Sequence, residues 1–184
     1  MLKPLIVLIV IAVALLRGGS LLNIAAVRLY WLPLVFGGLA LQLLIFTPFR
    51  DISLITAATP WIYMLSMLLL AAWLVVNRHI PGMQFMAAGL LLNLVALAAN
   101  GGYMPVTPEA VQMAGVRLDF GADGRYNNSI LLLASQTNLW LLTDIIPIPF
   151  AGVFSIGDVL LTLGVAIGCY RTIRPALVLA PAST

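Results

Sequence analysis

Residues 61–76 read WIYMLSMLLLAAWLVV, a run without a single charge that ends at Asn77-Arg78-His79-Ile80-Pro81. A helix needs roughly 20 apolar residues to cross about 30 Å of hydrocarbon, because its backbone can bond only to itself there. Working outward from this run, the same pattern recurs at Trp31 to Phe46, Met83 to Ala99 and Val153 to Ile173, each bounded by charge, Pro or Gly. A fifth run, Leu5 to Leu16, is shorter, and it reaches span length by extending past Arg17, whose head group can snorkel. Its competing reading is a secretory signal, since Lys3, the apolar stretch and Ala12-Val13-Ala14 mimic the three signal regions.

The expected fold is therefore all-α: a polytopic membrane bundle of about five transmembrane helices with one domain over residues 1–174. The spans fall at about 4–17, 31–47, 60–77, 82–100 and 153–173, and the Ala- and Pro-rich end, 175–184, reads as a flexible tail. Composition agrees, with 62% of the 184 residues hydrophobic and 8% charged, against about a quarter charged in soluble domains. Nine basic residues are scattered singly, a pattern of membrane anchors that excludes a nucleic-acid footprint. The partners expected are the lipid bilayer and a membrane-protein partner, with no nucleic acid. One cysteine, Cys169, excludes an intrachain disulfide, a Cys-based zinc site and an iron–sulfur cluster; one histidine, His79, excludes bis-His haem ligation. No metal and no cofactor is expected.

Five spans put Arg17, Arg28, Arg78, Arg171 and Arg174, with His79, on one side. The other side holds Lys3, Arg50 beside Asp51, and a long loop in which Arg117 and Arg125 are balanced by Glu109, Asp119 and Asp123. The positive-inside rule makes the first side cytoplasmic, with the N-terminus outside and the C-terminus inside. The loop 100–152 is then external. It contains Ile130 to Leu142, too short and too interrupted by Ser135-Gln136-Thr137-Asn138 to span, which predicts an interfacial or re-entrant helix with Trp140 at headgroup depth.

Two groups of residues could carry chemistry. Asn100-Gly101-Gly102-Tyr103-Met104-Pro105-Val106 is a helix stop, glycine supplying the left-handed turn and proline preventing continuation. Asn93 lies seven residues earlier on the same helical face, so Asn93, Asn100 and Tyr103 are candidate binding residues. The second group is Asp144 and Asp158, candidate catalytic residues, since two carboxylates that share a proton can activate water and protonate a leaving group. The structural alternative for Ser155-Ile156-Gly157-Asp158 is a capping box, with the acid stabilised by the helix dipole. Asp144 could equally open the Pro-rich turn that follows it. Gly164 and Gly168 form a small-residue motif that allows close helix approach.

The aspartate pair is similar to that of aspartic membrane peptidases such as the lipoprotein signal peptidase, where the second aspartate also opens the final helix. The Asn-rich stretch of that enzyme is replaced here by Phe154-Ser155-Ile156-Gly157. Over nearly its whole length, the order Asn-Gly-Gly-x-Met-Pro-Val, loop, Asp-x-Ile-Pro-x-Pro and Ser-Ile-Gly-Asp-x-Leu-Leu resembles an uncharacterised family of bacterial multi-pass membrane proteins, a domain of unknown function. That resemblance implies a bacterial plasma (inner) membrane location and brings no activity. The expected role is a non-catalytic accessory, assembly or partner-binding subunit, not an enzyme. The alternatives are an aspartic membrane hydrolase using Asp144 and Asp158, and a small-solute carrier, for which the central spans offer Gln42, Ser66 and Asn93.

Overall fold

A computed structural model describes residues 2–118 and 120–174, so the tail 175–184 and Asp119 lie outside the described residues. In chain order the helices are α1 (Leu2–Leu16), α2 (Leu22–Ala25), α3 (Leu32–Phe46), α4 (Ser53–Val76) and α5 (Met83–Ala99). After β1 (Met104–Val106) come α6 (Pro108–Ala114), β2 (Arg125–Tyr126), β3 (Ser129–Leu131), β4 (Ile146–Ile148), β5 (Gly152–Phe154) and α7 (Ile156–Ile173). Two helices, α4 and α7, are long and apolar enough to cross a membrane; α1, α3 and α5 are apolar but shorter.

The long helices stand in a row, α3 against α4, α4 against α5, α5 against α7, and α7 against α1. Glycine sets the tightest of these contacts. A Cβ on Gly89 would lie 2.9 Å from the Leu161 nitrogen, and one on Gly164 would lie 2.7 Å from the Gly82 oxygen, so α5 and α7 run antiparallel with their backbones touching. Gly168 faces the Pro81 carbonyl in the same seam. Beside it, Met67, Ala71, Leu74, Ala87, Leu90, Ala96 and Leu97 form the buried core of α4 and α5.

Two asparagines bind carbonyls in the last turn of a helix in the same way. At the end of α4, Asn77 Nδ2 donates to Trp73 O (2.9 Å) and Tyr30 O (3.0 Å), while Tyr30 N donates to Asn77 Oδ1 (2.8 Å). At the end of α5, Asn100 Nδ2 donates to Ala96 O (2.8 Å) and Asn138 O (2.9 Å), while Asn138 N donates to Asn100 Oδ1 (3.0 Å). Each amide thus ties a distant loop to a helix terminus. The end of α7 is closed by Ser20 N on Ile173 O (2.8 Å) and by Asn23 Nδ2 on the same oxygen (3.0 Å).

The segment between α5 and α7 differs from expectation. In place of an interfacial or re-entrant helix over Ile130 to Leu142, β3 pairs in parallel with β1 and antiparallel with β2, and 3₁₀ turns follow at Ala134–Gln136 and Trp140–Leu142. The cause is local. Leu133 N donates to Gln136 Oε1 (3.4 Å) and Thr137 Oγ1 to Leu133 O (3.0 Å), side-chain bonds that compete with a helical ladder. Leu139 then takes a positive φ of 50°, which ends any helix. With the β4–β5 hairpin, these elements make a small head at one end of the helices, so the fold is mostly helical and not all-α. The other difference is at Pro60, where the fourth segment was expected to begin: α4 begins at Ser53 and carries Pro60 inside.

Gly89→Ala should destabilise the bundle by about 1–3 kcal/mol through forced separation of α5 and α7. Gly37→Ala, where a Cβ meets only Leu69 at 3.7 Å, should be neutral or stabilise by up to about 1 kcal/mol. Thermal unfolding in mild detergent compares the two, and equal losses would contradict the glycine seam. Asn77→Ala should cost about 2 kcal/mol in the same assay, because it removes all three bonds that tie Tyr30 and Trp73 to the end of α4.

Candidate functional site

The start of α7 carries a cluster of mutually bonded polar side chains. Ser155 is the N-cap: its Oγ accepts from Asp158 N (2.9 Å), and its own N donates to Asp158 Oδ2 (3.4 Å), a reciprocal capping box. The hydroxyl then donates to Asn93 Oδ1 (2.8 Å), and Asn93 Nδ2 donates to Asp158 Oδ1 (3.4 Å). Asn93, Ser155 and Asp158 therefore close a ring across the α5–α7 seam. Ser155 is fully buried and Asn93 nearly so, which is tolerable only because both are bonded. Gly157 makes the ring possible: any side chain there would strike the Asn93 amide.

Asp158 is half-buried and also lines a 260 Å³ apolar cavity with Ile6, Phe154 and Thr162. Asp144 precedes the β4–β5 hairpin, whose register, Ile146 opposite Phe154 with Ile145 N donating to Phe154 O (3.2 Å), brings it back towards the start of α7. Its N donates to Pro105 O (3.1 Å), it forms a bridge with Val106, and it lines a separate 260 Å³ cleft in the head with Asn127, Asn128 and Ser129. The two cavities share no lining residue. One group feels both aspartates: the Tyr63 hydroxyl on α4 lies within the field of Asp158 and of Asp144.

The candidate binding residues do not gather at one point. Asn93 joins the α7 ring, while Asn100 is spent on the α5 terminus and the Asn138 backbone. Tyr103 is buried beneath the Arg125 guanidinium, 4.6 Å from its centroid. Gly101 and Gly102 hold φ of 68° and 84° as the stop motif requires, and Gly102 packs against the Pro60 ring. Of the mid-span polar residues, Gln42 Nε2 donates to Ser66 Oγ (3.4 Å), and Ser66 Oγ donates to Tyr63 O (2.7 Å). Among the described residues no three His, Cys, Asp or Glu side chains come together as metal ligands.

Sequence reasoning missed Tyr63 and Asn77. A polar residue one position past an apolar run, as at Asn77, is the signal that would have found the second. Nothing in the spacing flags Tyr63.

An uncharacterised protein of Thermotoga maritima is 34% identical over 115 residues, covering 59% of this chain and 64% of that protein. The match thus spans less than two thirds of the relative's length. No solved structure matches the chain. Residues 26–170, from the α2–α3 connection to near the end of α7, match a family of unknown function, DUF5317, and the chain belongs to that family.

Proposed function

We propose that the chain is a five-span protein of the bacterial plasma membrane whose external head docks a partner membrane protein, without catalysis. The membrane part rests on exposure. Only 28% of the most apolar window of α4 and 17% of that of α7 is buried, whereas the core helix of a soluble protein is mostly buried. Leu8, Phe36, Leu43, Leu65 and Leu68 all turn outward, as side chains solvated by lipid do. For the shorter helices, 15 residues cover about 22 Å, and flanking residues or local thinning make up the difference. Orientation follows charge: Arg17, Arg28, Arg78, Arg171 and Arg174 favour the cytoplasmic side, leaving the head outside.

The observation that carries the docking role is Phe150, at the tip of the β4–β5 hairpin. It is 91% exposed and held at a φ of 60°, a left-handed conformation that costs a bulky residue about 1–2 kcal/mol. Its N–H donates to Ala114 O (2.9 Å), and the residue before Ala114 on α6, Met113, is exposed as well. An aromatic displayed at such expense is an anchor of the kind that dominates protein interfaces. The ring of Asn93, Ser155 and Asp158 acts in this reading as the joint between the head and the bundle.

A second reading, an aspartic hydrolase, draws on Tyr63, whose hydroxyl senses both Asp144 and Asp158. Asp144→Asn and Asp158→Asn separate the two. Docking predicts no loss of function for Asp144→Asn and at most about 1 kcal/mol of stability lost for Asp158→Asn through the weakened cap; hydrolysis predicts that both abolish function in a growth or turnover assay.

For docking itself, Phe150→Gly should leave thermal stability unchanged or raise it by up to about 1 kcal/mol, because glycine relieves the left-handed strain. The same change with Met113→Ser should abolish stoichiometric co-purification of the partner from native membranes in mild detergent. Undiminished co-purification would refute the assignment.

A further inference from the structure

The end of the bundle opposite the head has an unbalanced charge. Among the described residues the acidic ones, Asp51, Glu109, Asp123, Asp144 and Asp158, all belong to connections or helix starts on the head side. At the other end two guanidinium groups converge on one phenol: Arg17 Nη1 donates to Tyr170 Oη (3.3 Å), and Arg174 lies over the Tyr170 ring, 5.1 Å from its centroid. Among the described residues neither arginine has a carboxylate partner. The Tyr170 oxygen accepts from Arg17, which leaves its own proton to donate.

This basic cluster sits at the mouth of an apolar groove. α1 lies parallel to α7 and leaves a shallow, open 370 Å³ groove over Val10, Val13 and Ala166, with Arg17 and Tyr170 at its end. Ala166 also lines the 260 Å³ cavity that continues towards the head, so the two run on along one side of the seam. From Tyr170 back to Val159 the helix rises about 17 Å, close to one leaflet of a roughly 30 Å hydrocarbon core.

We propose that this groove seats one anionic glycerophospholipid of the cytoplasmic leaflet. Its phosphate lies between Arg17 and Arg174 and accepts from the Tyr170 hydroxyl, and one acyl chain lies over Val10, Val13 and Ala166. An amphiphile with an anionic head is what a cationic mouth on an apolar groove selects; a neutral lipid leaves the two guanidinium groups uncompensated, and a free anion leaves the groove empty. The proposal rests on the membrane reading above, not on the docking role of the head.

The test is native mass spectrometry of the purified full chain from mixed micelles of phosphatidylglycerol and phosphatidylcholine. The wild type should retain one phosphatidylglycerol in preference to phosphatidylcholine. Arg17→Gln with Arg174→Gln should weaken that retention about 30-fold, from two arginines each worth about one kcal/mol at an anionic surface. Ala166→Phe, and Val13→Trp from the α1 side, fill the groove and should lower retention while the arginines stay in place; thermal unfolding checks that each variant is folded. Retention that ignores the arginine changes overturns the proposal. Retention that ignores both groove fillers, or that is displaced equally well by inorganic phosphate, overturns the seated lipid. Alkaline carbonate extraction of membranes keeps the two failures apart: release of the chain would sink the membrane reading, whereas a chain that stays and shows no lipid preference sinks this inference alone.

Discussion

The approach of α5 to α7 with no side chain between their backbones is the constraint on which the rest of the structure depends. Gly82 and Gly89 on one helix meet Gly164 and Gly157 on the other, and a methyl group at any of the four would strike its neighbour. Close approach gives each backbone dense dispersion contacts, the main attraction left where hydrocarbon surrounds the helices and burial itself offers little. It also brings Asn93 within bonding distance of Ser155 and Asp158, so the polar ring is a product of the same geometry. α1 has its main contact with α7 alone, and α3 reaches the bundle through α4, so both outer helices depend on the central pair.

How much of this could be read from the residues follows from how local each signal is. Apolar runs bounded by charge, Pro or Gly gave the five apolar helices to within a few residues, except that α4 begins seven residues earlier and passes through Pro60. The capping box at Ser155 and Asp158 and the glycine stop after Asn100 were legible because both rest on bonds between residues a few positions apart. The head was not. Its parallel pairing of Met104–Val106 with Ser129–Leu131 joins segments over twenty residues apart, and no periodicity in a two- or three-residue strand announces it. Nor could spacing tell that Asn93 would face Ser155 or that Asn100 would face Asn138, since both meetings depend on how the helices and the head are assembled.

The two candidate aspartates show why residue type alone underdetermines chemistry. Asp158 bonds within its own helix terminus and to Asn93, and Asp144 belongs to a cleft in the head. Both bear on the same tyrosine, Tyr63 of α4. What does distinguish the two ends of the molecule is simpler: acids and an exposed aromatic hairpin at one, arginines without acids at the other. In the proposed reading that asymmetry is what orients the chain and gives each end its own kind of contact.

Side-specific labelling tests the account most directly. In a Cys169→Ser background, Asp123→Cys places a thiol on the exposed head and Arg78→Cys places one in the turn after α4. A membrane-impermeant maleimide should label the first in intact cells and the second only after permeabilisation. Labelling in the reverse order, or of both before permeabilisation, would contradict it.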